Sequence, residues 1–110
     1  MTAKEASERR VLQLVGLARR AGHAVLGTEA VRQAGRRGEL SAIVLAEDAT
    51  ETAGRRLRSV LGDPDVPVVT CGTRQALGSA VGRPQAVVVG IADAGFATRI
   101  AGGRRTGPTR

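Results

Sequence analysis

The chain has 110 residues, enough for one domain with a hydrophobic core and too few for two. Apolar residues make up 42% and Phe96 is the lone aromatic, so a folded domain is expected, its core built from Val, Leu, Ile and Ala. A net charge of +7 points to a polyanionic partner, nucleic acid ahead of membrane, while a single cysteine excludes a disulfide framework and a cysteine-based metal site.

Residues 7–21 have helical periodicity, with Val11, Leu14, Val15 and Ala18 on one face and Arg9, Gln13 and Arg20 opposite. "AGH" ends this helix, with His23 read as its C-terminal cap, and "AVL" at 24–26 is a short strand. Residues 28–37 predict the next helix, with Ala30, Val31 and Ala34 inward, Glu29, Arg32, Gln33 and Arg36 outward, and Gly38 as the stop. "SAIVLA" at 41–46 is a continuous apolar run, the mark of a strand buried on both faces. A helix over 50–61 follows, its inner stripe formed by Ala53, Leu57, Val60 and Leu61, and "GDPD" at 62–65 is a turn. "VPVVT" at 66–70 is a strand in which Pro67 fits the start or an edge position. Then come a helix over 74–81, a turn at "RPQ", a second buried strand "AVVVGI" at 86–91 and a last helix over 93–101. The order αβαβαβαβα predicts an α/β protein, a three-layer α/β/α sandwich around about four strands. The domain is expected to span 1–101, and "GGRRTGPTR" at 102–110 reads as a flexible basic tail. No apolar run reaches the ~18 residues of a membrane span, and "MTAKEASERR" lacks a signal-peptide apolar stretch, so a cytoplasmic protein is expected.

Each strand after the first helix runs quickly into a helix start: Gly27-Thr28, Glu47-Asp48, Gly72-Thr73 and Asp93. If these starts gather along one sheet edge, their free N–H groups and positive dipole ends form an anion-binding rim. Asp48 with Glu51 matches a D-x-x-E helix cap, which accounts for the acidic pair better than acid–base catalysis does. Cys71 has no CxxC companion and reads as a small packing residue. Neither G-x-x-x-x-G-K-[ST] nor a strand-linked G-x-G-x-x-G occurs, so no catalytic residue, metal site or cofactor is expected. One aromatic cannot build the base-stacking platform of RRM-type or OB-type binders; RNA recognition here would rest on backbone amides, arginine and shape.

"LARRAGHAVLGTEAVRQAGRRGELSAIVLAEDAT", "VPVVTCGTRQALGSAVG" and "AVVVGIADAGFA" together resemble the kink-turn-binding ribosomal-protein superfamily of archaea and eukaryotes, above all its small bacterial, YlxQ-like branch. The resemblance covers residues 10 to about 100. Its most specific elements are the spacing from Gly27 to Gly38, "AED" after the second strand, and "GTRQALGSAVG". It implies a mixed rather than all-parallel sheet. It also implies RNA binding by the helix that starts at Gly27 and by the loops after the second strand and before the "LG" helix. On that footing Gly27 and Thr28 bring backbone close to phosphates, Glu29, Arg32, Gln33 and Arg36 line the exposed face, Glu47 and Asp48 flank the cradle, and Thr73 and Arg74 close it. In the archaeal motif the positions of Glu29, Ala30 and Gln33 are Asn, Glu and Lys; the acid contacts guanines of sheared G·A pairs, and Ala30 has no side-chain acceptor to replace it.

The function expected is therefore non-catalytic binding of structured RNA, ribosomal RNA first and kink-turn RNA as its narrower form, linked to the ribosome or translation. Ribosomal or translation-factor proteins are further expected partners, a membrane is not, and a monomer is expected. The alternative is a ribosome-associated protein-interaction module that keeps the fold without specific RNA recognition; an α/β enzyme ranks third.

Overall fold

The computed structural model describes residues 2–61 and 66–103. Its elements are α1 (Ala3–Arg20), β1 (Ala24–Leu26), α2 (Thr28–Arg36), β2 (Ala42–Leu45), α3 (Glu51–Leu61), β3 (Val68–Thr70), α4 (Arg74–Ala80), β4 (Val88–Ile91) and α5 (Ala94–Gly103). This is the predicted element order. The "GDPD" turn and residues 104–110 of the tail lie outside the described residues; Gly102 and Gly103, assigned to the tail from sequence, continue α5.

The four strands form one mixed sheet in the order β1-β4-β2-β3. β2 and β3 are parallel, and β4 is antiparallel to both β1 and β2. β3 is thus an edge strand, where Pro67 just ahead of it costs no ladder bond, and its carbonyl still accepts from the Ile43 N–H at 2.9 Å.

Side-chain alternation splits the core into two layers. Ala42 and Val44 of β2, with Val89 and Ile91 of β4, face Val11, Leu14, Val15 and Ala18 of α1, Leu77 of α4 and Ile100 of α5. Ile43, Leu45 and Val88 point the other way, onto Val31 and Ala34 of α2 and Leu57 of α3. Every residue of β2 and β4 is buried, as their unbroken apolar runs require. The core is aliphatic throughout; Phe96 only borders it, its ring centroid 6.1 Å from that of His23. Cys71 is fully buried, its thiol against the Glu8 carbonyl, a packing residue as expected.

Three helices end alike, and the glycines explain why. Gly22, Gly38 and Gly82 hold φ of 82°, 71° and 75°, the left-handed region that spares glycine the Cβ penalty. In each case the glycine N–H and the next N–H return to carbonyls of the last helical turn, the Schellman pattern. His23 therefore caps α1 through its backbone, donating to the Ala18 carbonyl at 2.8 Å, while its imidazole lies 4.0 Å from Asp93.

One helix start and one helix face depart further from the sequence reading. α1 begins four residues before the expected Ser7, because Thr2 and Glu5 form a reciprocal capping box with bonds of 3.1 and 2.9 Å. The Glu5 carboxyl is held below its ordinary value by the Thr2 N–H and then by the Thr2 hydroxyl, so acid weakens this cap. Ala30, expected inward, is exposed: the inner stripe of α2 is Val31, Ala34 and Gly35, and Ala30 lies about 90° around the helix from its centre. In α3, Leu57 is buried and Ala53 half-buried; the side chains of Val60 and Leu61 lie outside the described residues.

Candidate nucleic-acid interface

Strand direction decides which helix starts meet. β1, β2 and β3 all point the same way, so Gly27-Thr28, Glu47-Asp48 and Gly72-Thr73 gather at one edge of the sheet. β4 runs against them. Asp93 therefore caps α5 at the opposite edge, accepting from the Phe96 N–H at 2.9 Å, and is not part of the rim. The antiparallel strand brings something else instead: the segment leading into β4. Ala86 donates its N–H to the Arg74 carbonyl at 2.9 Å, which places exposed Gln85 at the rim. Sequence reasoning missed Gln85, because only the direction of β4 reveals it.

The rim has two clusters, since β4 separates β1 from β2 and two strand spacings amount to about 10 Å. The first is the start of α2. Gly27 adopts φ 97° and ψ 141°, a conformation close to glycine-only, although a Cβ there would meet nothing within 4 Å. The requirement is conformational, not steric. As N-cap, Gly27 supplies no side-chain oxygen, so the first turn of α2 presents its N–H groups and positive dipole end without a capping side chain. Exposed Thr28, Glu29 and Ala30 carry those amides. Arg32 Nη1 lies 3.2 Å from Glu29 Oε1, and its buried Nε has no hydrogen-bond partner. Gln33 is exposed one turn on, and exposed Arg36 lies roughly 12 Å along the axis from Thr28. Arg36 therefore carries the exposed basic face of α2 beyond the rim itself.

The second cluster joins two loops. Asp48 Oδ1 accepts the Arg74 N–H at 2.8 Å, and Oδ2 lies 3.6 Å from Arg74 Nε. The expected cap of α3 by Asp48 is thus overturned. Thr50 takes that role, accepting from the Ala53 N–H at 3.1 Å, and leaves Asp48 to tie the loop after β2 to the start of α4. Thr73 caps α4 through its hydroxyl, 3.0 Å from the Ala76 nitrogen. Glu47 donates its N–H to the Gly72 carbonyl at 2.7 Å, and its carboxylate meets Lys4 at 3.7 Å. Lys4, the one lysine, reaches the rim because α1 starts early; the T-x-x-E signature at Thr2–Glu5 is the signal that would have found it.

Glu29, Glu47 and Asp48 are each paired with a cation, so the rim is charge-balanced across exposed pairs of small individual energy. Arg32, Arg74 and Lys4 can exchange a carboxylate for a phosphate at little cost, and arginine's planar fork suits that exchange. Among the described residues no group of three or more His, Cys, Asp or Glu is placed to hold a metal ion, and no helix is long and apolar enough to cross a membrane.

A mixed four-stranded sheet between helical layers, with a glycine-initiated helix and two joined loops on one edge, defines the class of protein. Residues 9–101 match the ribosomal protein L7Ae/L30e/S12e/Gadd45 family, and the chain belongs to that family. It is similar to the protein named RNA-binding protein YlxQ of Bacillus subtilis (strain 168), 31% identical over 87 residues that cover 79% of this chain and 87% of that protein. A solved structure of a protein of unknown function from Bacillus halodurans C superposes with a TM-score of 0.79 at 36% identity, covering 86% of this chain and 95% of the other. The Giardia lamblia 15.5kD RNA binding protein gives 0.73 at 22% identity over 88% and 86%, a likeness of fold.

Proposed function

We propose that this protein binds structured RNA, without catalysing a reaction, through the rim formed by the start of α2, the Asp48–Arg74 clasp and the segment around Gln85. The observation that carries this reading is the uncapped first turn of α2 behind Gly27, with Arg32 beside it, in a chain of net charge +7. Backbone amides at a helix start bind phosphate oxygens without any aromatic platform, which is what an aromatic-poor chain needs. The similar Bacillus subtilis protein is named for RNA binding, which supports the same substrate class. Ribosomal RNA, with a cytoplasmic role at the ribosome or in translation, is the proposed setting, and kink-turn RNA is the narrower form of the proposal.

Titration of a folded RNA and a plain duplex at several salt concentrations tests it. A footprint of about five phosphates predicts that log K falls with log salt at a slope near −4. Replacing Arg32 and Arg36 with Gln should reduce discrimination between the two RNAs, whereas deleting residues 104–110 should weaken both equally. Affinity insensitive to salt, or discrimination lost with the tail alone, would put the site elsewhere.

A further inference from the structure

We propose that the groove between α1 and α4 is a docking site for an acidic amphipathic helix of a partner protein. This open groove, about 610 Å³, is floored by Leu12, Leu17, Ala76 and Ala80 and carries Arg9 and Arg20, with no acidic residue in its lining. Leu17 is 45% exposed, the sole large hydrophobic side chain left so among the described residues, and it sits inside a helix rather than on a loop. The walls are fixed. A Cβ on Gly16 would stand 3.0 Å from the Ala80 carbonyl oxygen, so α1 and α4 already meet backbone to backbone.

Length and charge select the occupant. Arg9 and Arg20 are eleven positions apart on α1, roughly 16 Å along the axis, which is about three turns of a docked helix. Such a helix sets apolar anchors at i, i+4 and i+7 against Leu12 and Leu17, and the small side chains of α4 leave space for its ridge. Arg9 makes no ion pair among the described residues, and Arg20 folds its Nε back to the Gly16 carbonyl at 3.4 Å, over the groove wall. The Arg9 guanidinium and the Nη groups of Arg20 are thus placed to take carboxylates at the ends of the occupant. The chain's own residues 104–110 carry three arginines and no acid, and a two-fold pairing of copies would set these arginines against themselves. RNA would use the arginines but gain nothing from Leu12 and Leu17, and no aromatic ring lines the groove to stack a base.

The test uses the full chain and a stapled peptide of about fifteen residues, Leu at i, i+4 and i+7 and Glu at both ends, read by fluorescence anisotropy and amide chemical shifts. The expected result is saturable binding with shifts confined to α1 and α4. Leu17→Asp should weaken binding roughly tenfold or more while the chain stays folded, at a melting temperature lowered by only a few degrees, because the side chain is nearly half in water before docking. The double variant Arg9→Glu, Arg20→Glu should reverse the preference, favouring a peptide with Lys at both ends. No binding, binding indifferent to Leu17→Asp, or shifts on another face overturns the proposal. It is equally overturned if folded RNA shifts these same amides and the charge reversal costs RNA as many fold as peptide.

Discussion

Gly78→Ala should lower the melting temperature by roughly 10–20 °C, while the same change at Gly54 should raise it by a few degrees. Both glycines lie inside helices, where alanine is favoured by about 1 kcal/mol. Their surroundings differ. A Cβ on Gly78 would overlap the Cα of Gln85 and lie 2.7 Å from its N and C, all backbone atoms that cannot rotate away. Overpacking costs about 1–3 kcal/mol, and about 3–4 kcal/mol where backbone itself must move as here, so the clash outweighs the propensity gain by about 2–3 kcal/mol. A Cβ on Gly54 would meet only Leu45 Cδ2 at 3.5 Å, an ordinary contact. Thermal melts of the two variants check the pair. Because Gln85 is on the rim, Gly78→Ala should also impair RNA binding at temperatures where the variant remains folded.

The triple change Glu29→Asn, Ala30→Glu, Gln33→Lys should raise affinity for a kink-turn RNA by about tenfold to a hundredfold. This prediction rests on the register set by Gly27, which puts Ala30 where the resemblance places an acid against guanine edges. All three side chains are exposed, so none of the changes enters the core. Losing the Glu29–Arg32 pair costs at most about 0.5 kcal/mol and frees Arg32 for phosphate. The carboxylate that Ala30→Glu introduces sits in the first turn, where the helix dipole favours a negative charge. Net charge rises by only one, so straight-duplex affinity should stay nearly constant. Equal gains on both RNAs would show that charge alone had improved.

Local signals in the sequence located nearly every element. Unbroken apolar runs marked β2 and β4, helical stripes marked α1 and α2, and glycines marked the helix ends. What escaped was set by non-local geometry. Asp48 matches a cap for its own downstream helix, yet its carboxylate crosses to Arg74, twenty-six residues away, because β2 and β3 are parallel neighbours. Asp93 looks like any other helix start, but the reversal of β4 carries it to the far edge and brings Gln85 to the near one. Ala30 reads as inward by residue type, and only the angular position of Val31, Ala34 and Gly35 moves it outward. Lys4 was legible through its capping box, a local signal outweighed by the later start of the apolar stripe.

Amide chemical-shift mapping of the full chain during titration with a folded RNA tests the rim most directly. The largest changes are expected at Thr28, Glu29 and Ala30, with further changes at Arg74 and Gln85 and little effect along α5. Changes confined to residues 104–110, with the first turn of α2 unmoved at saturation, would contradict RNA binding at the rim.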